Sequence, residues 1–170
     1  SSDLTKEITQ TNKEGVLLPP PRRRNGFAQQ NKYYAFAFAD FMPKLNTNNP
    51  EVINYLLHVC EVWVRDYDID ALRLDVANEI SHVFCRELQT KMRALKSDFY
   101  IVGEIWHNSL PWLRGGEFDS VMNYPLTQGI KSFWEQRELS VNDLQYAINR
   151  CNTMYMEQTN KVLFNLMDSH

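Results

Sequence analysis

The chain has 170 residues, 44% of them hydrophobic and 23% charged, a balance that excludes a disordered segment and suits one globular domain with a sizeable core. Its formal net charge of −3 gives no electrostatic case for nucleic acid or an anionic membrane surface. No apolar run approaches the roughly 18 residues that span a bilayer, and the dense basic run Arg22-Arg23-Arg24 reads as a solvated loop face.

The opening residues Ser1 to Glu7 lack the charged-then-apolar layout of a signal peptide. Cys60, Cys85 and Cys151 are odd in number and widely spaced, so free thiols in apolar settings are expected, as in a reducing compartment. A cytoplasmic location is therefore the expectation, with secretion as the alternative.

Residues 1–48 read as irregular, with Pro19-Pro20-Pro21 and Gly26 among polar residues, and a strand fits Tyr33 to Phe38. A stretch this long without clear periodicity suggests a functional loop or an excursion from a larger fold. From residue 49 the pattern is regular. Asn49 suits an N-cap and Pro50 a first helical position, and Val52, Ile53, Leu56, Val59, Cys60 and Trp63 recur at helical spacing to about residue 66. A strand follows over Ile69 to Leu74, then a helix from about Glu79 to Leu95 with Ile80, Val83, Phe84, Leu88 and Met92 on one side. Tyr100 to Gly103 predicts a second strand, and Phe118 to Tyr124 a third, stopped by Pro125. Helix is expected near 127–136 and again from Ser140 to about Met156, the latter opened by a Ser140/Asp143 capping box. Val162 to Met167 predicts a fourth strand.

Alternating helices and short apolar strands indicate an α/β fold with a parallel sheet. Four strands do not by themselves separate an open sheet from part of a barrel. Three of the four, however, end at their carboxyl end in ionisable groups: Asp75, Glu104, and Asp168 with His170. Barrel enzymes draw catalytic groups from several strand ends in this way, which favours a barrel.

On the first strand Arg73 and Asp75 are two apart and share one face, with Leu72 and Leu74 on the other. A neighbouring cation favours the ionised form that a carboxylate nucleophile needs, although a buried ion pair bracing the sheet would look the same from this strand alone. Glu104 adds a second carboxyl, followed closely by Trp106 and His107; an aromatic-walled pocket would keep such a group protonated, as a general acid requires. Two carboxyls with opposed protonation needs on neighbouring strand ends are what glycoside hydrolysis with retention uses. Trp106 and Trp112 are read either as packing or as sugar platforms.

Several linked segments resemble those of the α-amylase family. Ala71 to Glu79 (ALRLDVANE) resembles the family's second motif, Gly103 to His107 (GEIWH) its third, and Asn165 to His170 (NLMDSH) its fourth. Met42-Pro43-Lys44-Leu45-Asn46 is similar to the auxiliary motif of the neopullulanase, cyclomaltodextrinase and maltogenic amylase group, and Val76 to Glu79 and Pro111 to Pro125 point the same way. The resemblance implies a partial (β/α)8 barrel, about strands four to seven, over residues 49–170, with residues 1–48 as the tail of a small domain inserted after the third strand. It implies retaining hydrolysis, with transglycosylation, of α-1,4 bonds, with α-1,6 bonds as an extension, in cyclodextrins, pullulan, starch or maltooligosaccharides. Asp75 would be the nucleophile and Glu104 the acid/base; Arg73 would orient Asp75 and keep it charged, and His170 would bind sugar hydroxyls. Asn78, Glu79 and Trp106 would line the acceptor side, and His107 would belong to the same substrate-binding set.

Ala71 departs from the family's usual glycine there. The third catalytic carboxylate of the family follows the histidine of the fourth motif, so the isolated chain is expected to lack useful hydrolase activity. No histidine pair stands at ligand spacing (His58 and His82 read as plain helix residues), so neither metal nor cofactor is expected here, calcium elsewhere in a longer parent staying open. Members of the group often form dimers, which makes a homodimeric parent an expectation of the same kind. Two other readings stay in play, a non-catalytic carbohydrate-binding or assembly member of the fold and a self-standing open α/β module.

Overall fold

A computed structural model describes residues 33–36, 42–135, 140–167 and 169. Within them the first helix, α1 (Pro50–Tyr67), starts where its end chemistry dictates. The Asn49 side chain accepts the Glu51 amide at 2.8 Å, Pro50 occupies the first turn, and Asp68 ends the helix in the left-handed region.

Three parallel strands follow in the order β1-β2-β3: β1 (Ala71–Leu74), β2 (Tyr100–Gly103) and β3 (Ser120–Val121). Helix α2 (His82–Leu95) joins β1 to β2, and a long connection containing a short 3-10 turn at Leu110–Trp112 joins β2 to β3. Behind the sheet, Phe84, Cys85, Leu88 and Met92 of α2 form one core with Phe99, Ile101, Phe118 and Val121, and Leu72 and Leu74 pack against it. The leucine face of β1 is thus covered by helices, as its alternation predicts. On the opposite face Arg73, Val102 and Ser120 are in register, and the Arg73 side chain is 39% exposed. This is an α/β arrangement of parallel strands, helices on one side and polar groups on the other, as in part of a barrel.

Several boundaries differ from the sequence expectation. Residues Ala77–Glu79 form a separate 3-10 turn, and α2 begins only at His82, because Ser81 caps it by accepting the Phe84 amide at 3.1 Å. Val83, expected on the buried side, is 43% exposed. The third strand is cut to two residues, since Tyr124 already opens α3 (Tyr124–Trp134). Pro125 therefore starts a helix rather than stopping a strand; its missing N–H costs nothing in a first turn. The capping box at Ser140 is present and opens α4 (Val141–Met154), which stops at extended Tyr155, ahead of α5 (Glu157–Asn160).

The expected fourth strand is reduced to one parallel bridge, Met122 to Phe164. Side chains take up hydrogen bonds that a ladder would otherwise make: Ser120 Oγ accepts the Phe164 amide at 2.8 Å, and Thr127 Oγ1 donates to the Leu166 carbonyl at 2.7 Å. In the proline-rich N-terminal third, Ala35 and Pro43 form an antiparallel bridge, so part of the Tyr33–Phe38 expectation is a short pairing; Ala37 and Phe38 lie outside the described residues. Cys60, Cys85 and Cys151 are free and buried, and burial pushes the Cys85 thiol up to about 12. No helix among the described residues is long and apolar enough to cross a membrane.

The β2–β3 connection is fastened to both ends of α2, by an Arg93–Asp119 ion pair at one end and around Glu117 at the other. Buried Glu117 meets His82 Nδ1 at 2.6 Å and Arg86 at 2.8 Å, and the His82 ring stacks on Trp112. His82, expected to be a plain helix residue, thus serves as an anchor.

Gly103, the last residue of β2, is required by space. A Cβ there would lie 2.6 Å from the Phe118 ring and 3.1 Å from Ala77 Cβ, both in the buried core. Overpacking at such a position costs about 1–3 kcal/mol, so Gly103→Ala is expected to lower the urea midpoint of unfolding measurably. An unchanged midpoint would show that Phe118 has room to move.

Candidate active site

The register of the sheet brings two carboxyl groups together. Leu74 pairs with Gly103, so Asp75 and Glu104 each stand one residue beyond the last paired positions of adjacent parallel strands. Their main chains stay tied together, with the Glu104 amide donating to the Leu74 carbonyl at 2.9 Å and the Ala77 amide to the Glu104 carbonyl at 3.0 Å. Alternation then turns Arg73, Asp75 and Glu104 to the face away from the helices.

Arg73 joins the pair. Its Nη1 bonds Asp75 Oδ1, and its Nη2 meets Glu104 Oε1 at 3.1 Å. A planar guanidinium has donors in a fixed fork, so reaching both acids fixes them relative to each other. Their surroundings are opposite: the Asp75 side chain is 68% exposed and that of Glu104 only 5%.

Three donors surround Glu104. Besides Arg73, the Val76 amide reaches Oε2 at 3.0 Å and the Tyr124 hydroxyl reaches Oε1 at 3.3 Å. Val76 donates from the left-handed region, at φ 44°, a conformation unfavourable for a β-branched residue. Strain of this kind persists where the surroundings over-determine it, often at functional sites. The sequence suggested an aromatic-walled pocket around Glu104; the aromatic group that touches the carboxyl is Tyr124, through its hydroxyl, with Trp106 stacked on its ring. Tyr124 also faces Ser169 Oγ at 3.3 Å, so its hydroxyl has a second partner if it turns from Glu104.

The remaining predicted residues divide. Trp106 stacks on the Tyr124 ring, with centroids 4.0 Å apart and planes 11° apart, and is 58% exposed. Asn78 and Glu79 lie on the 3-10 turn after Asp75, and Glu79 pairs with Lys44 at 3.1 Å. Two hydrogen bonds between Ser81 and Thr47, at 2.9 and 2.6 Å, tie the same two segments together. His107 sits edge-on to Trp112, with centroids 5.9 Å apart. Trp112 itself is buried between His82 and His107, which favours packing over a sugar platform. Asp168 and His170 lie outside the described residues. Among the described residues no group of three or more His, Cys, Asp or Glu side chains could hold a metal ion.

Sequence reasoning missed Tyr124 and Val76. Tyr124 carried a signal, an aromatic residue at a strand end just before proline. Val76 carried none, because its contribution is a main-chain N–H set by a backbone angle.

Residues 25–170 match the family description "Alpha amylase, catalytic domain". The chain belongs to the α-amylase family. It is 50% identical over 138 residues to "Maltogenic alpha-amylase" of Bacillus acidopullulyticus, covering 81% of this chain and 24% of that protein. Against "Intracellular maltogenic amylase" of Bacillus subtilis (strain 168) the identity is 46% over 140 residues, 82% of this chain and 24% of that protein. A solved structure titled "Cyclomaltodextrinase" superposes with a TM-score of 0.78 at 43% identity, covering 81% of this chain and 24% of its own. The chain thus spans about a quarter of the length of the curated relatives it matches. Its α/β arrangement of parallel strands is part of an α-amylase catalytic fold.

Proposed function

We propose that the chain supplies the central part of the catalytic barrel of a retaining α-glucan hydrolase, with residues 1–48 as the tail of an inserted domain and 49–170 as barrel. One observation carries the reading: a single guanidinium, Arg73, holds Asp75 and Glu104 on adjacent strand ends. Carboxyls held by one cation can flank a single glycosidic bond, and retaining enzymes use two carboxyls about 5–5.5 Å apart.

In this mechanism the exposed Asp75 attacks the anomeric carbon and forms a glycosyl ester as the bond to the leaving oxygen breaks. Glu104 gives its proton to that oxygen, then takes one from water or from an acceptor sugar hydroxyl as the ester is cleaved. Arg73 orients both acids. Three of the roughly four lone-pair sites of the Glu104 carboxylate accept donors, which leaves one on Oε2 to carry the proton, and the Tyr124 hydroxyl has Ser169 as a second partner when the acid changes its charge. Trp106 offers a sugar-sized flat face beside the acid, and His170 would bind hydroxyls in the cleavage subsite.

The substrates fitting the relatives' names are cyclodextrins and maltooligosaccharides with α-1,4 bonds, and α-1,6 bonds as in pullulan belong to the same proposal. A location inside the cell is supported by the Bacillus subtilis relative's printed name. Proton NMR of the first product released from cyclodextrin by the full-length protein tests the reading. An α-configured reducing end supports it; a β-configured end, or no product, rejects it.

Lys44 is expected to act through Glu79. Both side chains are partly buried, and the Lys44 ammonium lies 5.3 Å from the Phe36 ring centroid, which restrains it further. A part-exposed ion pair is worth at most about 1 kcal/mol, so Lys44→Met should shift the transfer-to-hydrolysis ratio by up to about fivefold, in the direction of Glu79→Gln. Chromatography of products made with an acceptor sugar reads the ratio; opposite shifts in the two variants would break the connection.

A further inference from the structure

Two cavities on the Trp106 side of the site share part of their walls. One, of about 440 Å³, is lined by Trp106, Tyr124, Lys131 and Ser169. The other, of about 420 Å³, lies in the groove between α3 and α4 and is lined by His107, Tyr146 and Arg150. Pro125 and Gln128 line both, so the first turns of α3 form a shared wall. The first cavity adjoins Glu104 through the Tyr124 hydroxyl.

The groove carries both polar and apolar groups, Gln128 and Arg150 beside Cys151 and Met154, and is narrow at its floor. Gly129 and Ala147 let the helices approach closely, a Cβ on Gly129 lying 3.3 Å from that of Ala147. Tyr146 is 70% exposed and stands one helical turn from Arg150 on α4. A flat ring beside a guanidinium, a carboxamide and an imidazole suits a pyranose, which offers an apolar face to stack and hydroxyls around its edge.

We propose that a long α-glucan runs from the Trp106–Tyr124 stack over the first turns of α3 into the groove between α3 and α4, where Tyr146 and Arg150 bind its acceptor-side end. The proposal rests on the reading of Glu104 as acid/base, since that sets which end of the chain lies here. It makes Tyr146 and Arg150 determinants of substrate length, outside the reacting centre.

The test uses the full-length protein carrying Glu104→Gln, so that binding is measured without turnover, with maltoheptaose and maltotriose titrated separately by calorimetry. Adding Tyr146→Ala is expected to weaken maltoheptaose by about tenfold, equivalent to about 1.4 kcal/mol, and to leave maltotriose unchanged. Tyr146→Phe, which keeps the ring, should retain most of the affinity, and Arg150→Met should again weaken only the longer sugar. Equal losses on both sugars, or no loss on either, overturn the proposal; the second outcome is also what a groove filled by another segment of the protein or by a second copy would give. A length-dependent loss in a protein whose unsubstituted form hydrolyses no glucan would leave the groove standing and reject the catalytic reading instead.

Discussion

Glu104→Gln in the full-length protein should reduce kcat/KM on maltooligosaccharides by about 10²–10⁴-fold, the range for losing a positioned general acid. The loss should depend on the leaving group. A glucosyl fluoride needs no protonation to depart, so formation of the glycosyl ester should be nearly unimpaired there, and its hydrolysis, which needs a base, should limit turnover. A burst of fluoride followed by a slow steady rate is the expected signature. Asp75→Asn removes the attacking oxygen itself, so neither substrate class should be rescued and no burst should appear. The contrast follows from the geometry: Asp75 faces solvent with one partner named above, Arg73, whereas Glu104 is buried among three donors. Similar behaviour of the two variants on the fluoride would mean that their roles are not divided in this way.

Arg73→Lys should be nearly as damaging, although it keeps the charge. A lysine ammonium is a compact point donor on a flexible stem and cannot reproduce the two-pronged fork that reaches Asp75 and Glu104 together. Displacements of about 1 Å at a reacting centre can cost about 10²-fold, and a loss of that order in kcat is expected with little change in KM. Thermal unfolding should change little by comparison, because the Arg73 side chain is 39% exposed and its salt bridge to Asp75 is solvent-facing. A variant that loses stability but retains kcat would make Arg73 a brace of the sheet, the alternative the β1 sequence leaves open.

Much of this site is legible in the sequence because period-two alternation does the work. Once Ala71–Leu74 and Tyr100–Gly103 are strands, Arg73 and Asp75 must share a face, and the same parity puts Glu104 beside them. Helix starts were equally legible at Asn49 and Ser140, where a side chain caps each. The failures occur where tertiary hydrogen bonds override local pattern. Glu79 to Leu95 reads as one helix, but Ser81 is held by Thr47 and caps a later start. The apolar run Val162 to Met167 reads as a strand, but Ser120 and Thr127 hold its main chain through their hydroxyls. Proline is ambiguous in the same way: Pro125 fits both the end of a strand and the start of a helix, and only the position of Tyr124 decides.

The surroundings of Glu104 were the hardest to foresee. All three of its donors come from outside its own motif, and two of them went unforeseen, the Val76 amide through a left-handed turn and the Tyr124 hydroxyl from the start of α3. Neither pattern nor spacing marks a main-chain N–H as a functional group.

The central claim is a division of labour between Asp75 and Glu104, and trapping the intermediate tests it most directly. The full-length protein, incubated with a fluorinated α-glucosyl fluoride that reacts quickly and hydrolyses slowly, should gain one sugar mass, and peptide mapping should place it on the segment containing Asp75. Glu104→Gln should accumulate the same label more persistently, and Asp75→Asn none. A label on Glu104, or absence of any label while products retain α configuration, would contradict the account.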